Sequence, residues 1–343
     1  MQQTVHIPAP GSPERGDQIR QWLTSVTIAP PQTLQPGGSD ASVRVYWRAQ
    51  WPDRSLMVMD ADPQQFNAQP FLAIQQQLSA AGVRVPQVIA HDAQLGLTLL
   101  EDLGDVMLSE LLTDERTAKA WYLKAIDTLV HIQKNTSAEQ LPAFDGAFLR
   151  REMEIGREWY LGKHLGVELK DKDLATWERS IALIVAQCLA QPTGFMLRDY
   201  HSRNLMVKDD ELYVIDFQDA VNGPLCYDVV SLFRDAYVEW DEAFALDLVI
   251  RYWEKARSAG IPVNDDFGDF YRAFEWQGLQ RHIKVLGLFA RLHHRDGKDR
   301  YLADIPRVLG YMRKVCQRYS ELTGLYRILL NAQGEQVESG FTF

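Results

Sequence analysis

The segment Leu197-Arg198-Asp199-Tyr200-His201-Ser202-Arg203-Asn204-Leu205-Met206-Val207, followed five residues later by Tyr213-Val214-Ile215-Asp216-Phe217-Gln218-Asp219, stands apart from its surroundings. Three short apolar runs, 195–197, 205–207 and 212–217, are separated by polar loops, while the flanking sequence has helical periodicity. A β-island in a helical region is a natural place for chemistry, because loops between rigid elements carry catalytic groups. Reduced to its polar positions, the segment reads D-x-x-x-x-N, then an I-D-F strand end whose Asp is separated from the Asn by eleven residues. Phosphoryl transfer needs these parts: a carboxylate that orients the attacking hydroxyl and accepts its proton, and an amide oxygen and a second carboxylate that hold Mg²⁺ across nucleotide phosphates. On this reading Asp199 is the base, and Asn204 and Asp216 are the metal ligands. Hard oxygen donors suit Mg²⁺, whose shell water and phosphate complete. The plainer reading is a turn, which Asp and Asn favour. It leaves a carboxylate at the end of an apolar strand without a partner, which is costly.

Outward from this segment the chain is predominantly helical. Periodicity predicts helices over 114–135, 147–165, 171–190, 241–259, 267–295 and 303–322. Before position 104 the pattern is different. Residues 42–48 and part of 55–60 alternate as half-buried strands do, a helix follows Pro63 and stops at Gly82, and 85–91 and 95–101 form another strand pair. The expected organisation is an N-terminal helix and Pro/Gly-rich linker over 1–39, a sheet lobe over 40–103 ending in a hinge, and a helical lobe over 104–343 that contains the β-island. At 343 residues, two domains or one domain of two lobes is the expected scale.

Composition narrows the function class. Apolar residues are 46% and charged residues 24%, ordinary for a globular chain. A net charge of −10 argues against nonspecific nucleic-acid binding. The longest apolar stretch, 181–190, is too short to span a bilayer and contains Gln187. Cys188, Cys226 and Cys316 are far apart and read as reduced thiols. The opening MQQTVHIPAP has neither the basic nor the apolar part of a secretion signal. A cytoplasmic enzyme without membrane, nucleic-acid or obligate protein partners is the expectation.

The motif R-D-Y-H-S-R-N-L-M with V-I-D-F-Q-D resembles the aminoglycoside phosphotransferase and choline kinase branch of the protein-kinase-like fold. That branch carries a D-x-H-x-x-N loop followed by I-D-F. The connector Leu99-Leu100-Glu101-Asp102-Leu103-Gly104-Asp105 is similar to the family's hinge, and Tyr227-Asp228-Val229-Val230-Ser231-Leu232 to its structural segment after the metal-binding aspartate. The resemblance covers roughly residues 35–320. It implies an α+β, bilobal protein-kinase-like fold with a small sheet-rich N-lobe and a larger helical C-lobe. ATP and Mg²⁺ are the implied cofactors, with adenine on backbone groups of Glu101 to Leu103. In this loop His201 more often braces than reacts, and Asp228 would bond the loop backbone.

The chain also departs from the family. Leu197 stands where a histidine is common. The strand Leu56-Met57-Val58-Met59-Asp60 has no lysine, and the helix after it offers Gln75-Gln76-Gln77 and no glutamate. Both halves of the usual kinase ion pair are missing together, which fits a rebuilt site better than an accidental loss. Arg44 or Arg48, alternate positions after the Gly37-Gly38-Ser39-Asp40-Ala41-Ser42 segment, would supply positive charge over the phosphates.

A narrower likeness runs through S-D-A-S-x-R-x-Y-W-R, M-D-A-x-P, L-L-E-D-L-G-D and the helix E-W-Q-G-L-Q-R-H-I-K-V-L-G-x-F-A-R-L. These are similar to bacterial cell-wall-recycling kinases that phosphorylate the anomeric hydroxyl of N-acetylmuramate and N-acetylglucosamine. An amino sugar is the implied acceptor. On the helix over 267–295, Arg281, Lys284, Arg291 and Arg295 share a stripe. It is either a solvated face or a positive wall for a sugar acid. His201, Asp219, Glu275 and Arg281 are the candidate acceptor contacts, with Asp219 equally readable as a structural cap. The rival readings are an aminoglycoside or amino-alcohol kinase, and a nucleotide-binding pseudokinase.

Overall fold

The computed structural model describes residues 7–9, 11–37 and 44–335. Gly38, Ser39, Asp40, Ala41 and Ser42 of the expected phosphate segment lie outside them. The fold is α+β and divides into two compact units, Met1–Met107 with Leu205–Asp219, and Leu108–Asn204 with Ala220–Phe343.

The first unit is built on an antiparallel sheet of β1 (Thr33–Pro36), β2 (Val45–Gln50), β3 (Ser55–Asp60), β4 (Val88–Asp92) and β5 (Leu97–Glu101) in the order β1-β2-β3-β5-β4. Register places Trp47 opposite Val58 and Ala49 opposite Leu56, so one face of β2 and β3 is apolar and buried. Ile19, Trp22 and Leu23 of the helix Pro13–Val26 join the same core. Each such side chain contributes about 1.5–3 kcal/mol on burial. Ser12 caps that helix by accepting the Arg15 N–H at 3.2 Å. Arg15 and Asp60, both fully buried, form an ion pair at 2.7 Å, and Trp47 Nε1 donates to Asp60 at 3.2 Å.

The unit boundaries differ from the expected 1–39, 40–103 and 104–343 in two places. The N-terminal helix is part of the sheet unit, because its apolar face completes the sheet's core. The hairpin Leu205–Lys208 and Glu211–Val214 also belongs here, so the β-island is divided after Asn204. Val207 N–H donates to Val106 O and Val214 N–H to Arg84 O, each at 2.9 Å, and Phe217 stacks on Phe71 at 5.1 Å. Phe71 lies on the helix Gln69–Ala80, where Gln75 is buried and donates to Pro86 O at 3.1 Å.

In the second unit the helices Glu115–Asn135, Asp171–Leu189, Glu242–Ser258 and Phe267–Asp296 match the sequence expectation within one residue at each end. The stretch predicted over 303–322 is shorter, a helix Ile305–Arg318 flanked by 3₁₀ turns, with a further helix Thr323–Ala332. The stretch predicted over 147–165 changes character, from α-helix over Gly146–Ile155 to π-helix over Gly156–His164. Two glycines allow this segment to touch the long helix backbone to backbone. A Cβ on Gly156 would meet Ile283 O at 2.4 Å, and one on Gly287 would meet Ile155 O at 2.3 Å. That closeness brings Glu152, one turn earlier, to Gln280 and Lys284. None of the described helices is long and apolar enough to cross a membrane.

Candidate active site

In the helical unit, strand Thr193–Met196 pairs with Val221–Pro224 and delivers the loop 197–204. The loop opens on a strained residue, since Arg198 has φ +74°, a region that a non-glycine residue enters at a cost. Its neighbours fix it there. Leu197 N–H donates to Asp228 Oδ2 at 2.7 Å, Ser231 Oγ–H to Arg198 O at 3.3 Å, and Arg198 Nη2 to Glu152 Oε1 at 2.7 Å. Asp228, on the buried helix Cys226–Phe233, therefore bonds the loop backbone as its position in the motif implied. Downstream, Tyr200 O–H donates to Ala125 O at 2.8 Å and Ser202 N–H to Asp235 Oδ2 at 3.0 Å.

The loop also closes on itself. His201 N–H donates to Asp199 O at 3.0 Å, Asn204 N–H to His201 O at 2.9 Å, and Asn204 Nδ2 to Asp199 O at 3.0 Å. Asp199 and Asn204 are thus brought together, with the amide nitrogen spent on the backbone. Asn204 Oδ1, the atom a cation takes, carries no hydrogen bond among the described residues. The Asp199 side chain keeps 35% of its surface exposed. Its surroundings would by themselves raise its pKa. The charges of Lys284, His201, Arg281 and Arg198 outweigh that and hold it at about 2. The group is therefore ionised at neutral pH and able to accept a hydrogen bond from a hydroxyl.

The charges come from the long helix. Lys284 Nζ lies 2.9 Å from Glu152 Oε1, and Gln280 Nε2 donates to Glu152 Oε2 at 3.0 Å. Burial favours neutral Lys284, but Tyr227, Glu152 and Asp199 hold its pKa above the ordinary lysine value. Arg281 Nη2 stands 3.9 Å from Asp199 Oδ1. The four-residue basic stripe is therefore not one surface. Arg281 and Lys284 are buried beside Asp199 and Glu152, while Arg295 pairs with Asp296. Glu275 does not join them, because it accepts from Arg318 and from Tyr319 O–H at 2.7 Å. The His201 ring packs edge-on against Tyr237 at 5.3 Å, a bracing contact.

In the sheet unit, Asp216 has φ +58° and accepts from Arg44 Nη2 and Gln218 Nε2, each at 2.9 Å. Gln218 Nε2 also approaches Asp219 Oδ2 at 3.4 Å, and Arg44 Nη1 donates to Gln218 at 3.0 Å. Arg44 is thus the cation at Asp216. Arg48 is committed elsewhere, with ion pairs of 2.8 Å to both Asp102 and Asp105 and a bond to Gly104 O at 3.1 Å. It braces the connector. Lys208 Nζ reaches Glu101 Oε1 at 2.8 Å and Asp102 O at 2.9 Å, and Glu101 N–H is used by Gln87 O. The N–H and C=O of Leu103 carry no hydrogen bond among the described residues.

The donor set fits a hard divalent cation. Each is so by itself: in the sheet unit Asp216 already holds a cationic group and its side chain is 41% exposed, and in the helical unit Asn204 offers an amide oxygen. Among the described residues no three His, Cys, Asp or Glu side chains form a metal cluster. Sequence reasoning missed Glu152, since no local pattern marks a helix carboxylate that will meet a distant cation, and Asp235, which lies just after the helix Cys226–Phe233 and accepts from Ser202 N–H.

Residues 33–261 match the phosphotransferase enzyme family. The chain is 45% identical over 335 residues to an N-acetylmuramate/N-acetylglucosamine kinase of Neisseria meningitidis, covering 96% of this chain and 100% of the relative. It is 46% identical to a protein of the same name from Pseudomonas aeruginosa, covering 92% and 96%. Among solved structures, a spectinomycin phosphotransferase in complex with ADP and spectinomycin superposes with a TM-score of 0.60 at 15% identity, over 87% of this chain and 95% of that one. A choline kinase from Streptococcus pneumoniae gives 0.61 at 13% identity, over 87% and 98%. These likenesses establish the kinase-like fold.

Proposed function

Because the chain belongs to the phosphotransferase enzyme family, we propose that it transfers the terminal phosphoryl group of ATP to the anomeric hydroxyl of N-acetylmuramate or N-acetylglucosamine. The observation that carries this reading is the closed D-x-x-x-x-N loop, which presents an ionised, half-exposed Asp199 beside an amide whose oxygen is unused. Asp199 orients the sugar hydroxyl and takes its proton. The anomeric hydroxyl is more acidic than an ordinary alcohol, so a weak base suffices. Asn204 and Asp216 would hold Mg²⁺, which when bound neutralises charge on the phosphates. Arg44 serves as the phosphate-side cation in place of the absent strand lysine. The Leu103 backbone N–H and C=O serve adenine.

The nucleotide is supported by the ADP complex of the spectinomycin phosphotransferase, and the acceptor by the names of the relatives. The product, a sugar 1-phosphate, suits a nucleotidyltransferase in peptidoglycan recycling. Three buried free cysteines fit a reducing, cytoplasmic setting. Arg281 and Lys284 beside the base disfavour cationic acceptors such as choline or aminoglycosides.

The test is mass spectrometry of a mixture of amino sugars, amino alcohols and aminoglycosides incubated with the chain, ATP and Mg²⁺. Phosphate should appear on the two N-acetylated sugars. Phosphorylation of choline or an aminoglycoside instead would replace this acceptor assignment, and nucleotide binding without transfer to any acceptor would make the chain a pseudokinase.

A further inference from the structure

Arg281 is 3% exposed and stands on a helix packed on nearly every side. A buried guanidinium ordinarily satisfies its five N–H groups, because an unpaired buried donor is costly. Here Nε and Nη1 have no hydrogen-bond partner among the described residues. Nη2 stands 3.9 Å from Asp199 Oδ1, an ion-pair distance but beyond hydrogen bonding. The neighbouring cations are differently placed. Glu152 is shared by Arg198 at 2.7 Å and Lys284 at 2.9 Å, and it also accepts from Gln280. Arg281 thus has no carboxylate of its own within hydrogen-bond reach, and its nearest one is the base.

We infer that Arg281 is a catalytic residue, whose guanidinium takes non-bridging oxygens of the phosphoryl group as it passes to the acceptor. This rests on the phosphotransfer reading above and deepens it. In the step, the acceptor O–H bond breaks and its proton goes to Asp199. The acceptor oxygen bonds to phosphorus, the bond from phosphorus to the bridging oxygen of ADP breaks, and ADP leaves with that electron pair. A base must sit about 2.6–3.2 Å from the hydroxyl oxygen it serves. A cation 3.9 Å from that same carboxylate is then beside the oxygen under attack and the phosphorus bonded to it. Charge spreads over three phosphoryl oxygens in the transition state, and a planar fork of donors suits them. The carboxylate of N-acetylmuramate is a less suitable partner. It hangs from the third ring carbon, two ring atoms away from the anomeric centre that Asp199 serves.

The experiment is steady-state kinetics of Arg281→Lys and Arg281→Gln with N-acetylmuramate and, separately, N-acetylglucosamine, beside calorimetric binding of ADP. kcat should fall about 10²–10³-fold with both sugars, the scale for losing one preorganised donor to developing charge. KM for each sugar and ADP affinity should stay within about threefold, and the Lys variant should retain more turnover than the Gln variant. A loss confined to N-acetylmuramate and expressed as a higher KM overturns the inference, since Arg281 would then bind the acceptor's carboxylate. An unchanged kcat also overturns it. On the unaltered chain, aluminium fluoride with ADP, Mg²⁺ and sugar mimics the phosphoryl group in flight. It should raise ADP affinity at least about tenfold, and no gain overturns the inference whether or not the variants fold. If the unaltered chain phosphorylates neither sugar, the proposed function itself fails. If it phosphorylates both and the Arg281 variants match it, only this inference fails.

Discussion

Lys284 Nζ lies 2.9 Å from Glu152 Oε1, an ion pair between two helices in which the side chains are 8% and 5% exposed. Glu152 also receives Arg198, the strained residue immediately before Asp199. The pair therefore connects the packing of the long helix to the position of Asp199. Two glycines, Gly156 and Gly287, let the helices approach closely enough for it to form.

Removing one member of a buried ion pair strands the other charge, at a cost of about 3–5 kcal/mol. Glu152→Gln strands both Lys284 and Arg198 and should lower the unfolding free energy by about that amount in urea titration, and Lys284→Met, which leaves Glu152 paired with Arg198, should cost less. The double replacement should recover part of the Glu152→Gln loss, because Lys284 is then no longer a stranded charge, while Arg198 still lacks its carboxylate. Single variants within about 0.5 kcal/mol of the parent would mean that water already screens the pair.

Asp228 provides a pH-dependent signature. Burial pushes its pKa up to about 7, against 3.8 for an ordinary aspartate, even though backbone N–H groups of the loop oppose the rise. Between those values the folded chain holds a proton that the unfolded chain has released. Stability from this group therefore falls as pH rises from about 4 to about 7. Asp228→Asn keeps an acceptor for Leu197 N–H but does not titrate. Its stability relative to the parent should improve steadily across that window in urea titrations at successive pH values. A parallel pair of curves would show that Asp228 is charged throughout.

Arg44 and Arg48 separate in the structure, and their variants should separate too. Arg44 touches Asp216, and Arg48 is spent on Asp102 and Asp105. A hydrogen bond to a charged group is worth about 1.5–3 kcal/mol, or roughly 10–150-fold in affinity. Arg44→Met should weaken Mg²⁺-ADP binding by about that factor in calorimetry. Arg48→Met should leave that affinity within about threefold while loosening the connector, read as faster amide exchange at Gly104, whose N–H donates to Asp102. Equal losses of affinity in both variants would return Arg48 to the phosphates.

The sequence was most informative where the chemistry is contiguous. Asp199, His201 and Asn204 lie in one loop whose own hydrogen bonds close it, so spacing alone carried the geometry. The helices were legible because an apolar stripe must repeat near 3.6 residues to reach a core. Long-range contacts were not. Glu152 looks like any surface glutamate on an amphipathic helix until Gly156 and Gly287 bring it to Lys284. Arg48 and Arg44 share a face by strand alternation, yet their different partners depend on loops that alternation does not describe. The hairpin Leu205–Lys208 and Glu211–Val214 follows the loop 197–204 in the chain but bonds to Val106 and Arg84, a preference carried by residues about a hundred or more positions away.

The most direct measurement of the central claim is a phosphorus NMR time course with N-acetylmuramate, ATP and Mg²⁺, run with the parent chain and with Asp199→Asn. A new phosphate resonance coupled to the anomeric proton should appear, formed about 10²–10⁴ times more slowly by the variant. A phosphate on another sugar oxygen, or undiminished formation by Asp199→Asn, would contradict it.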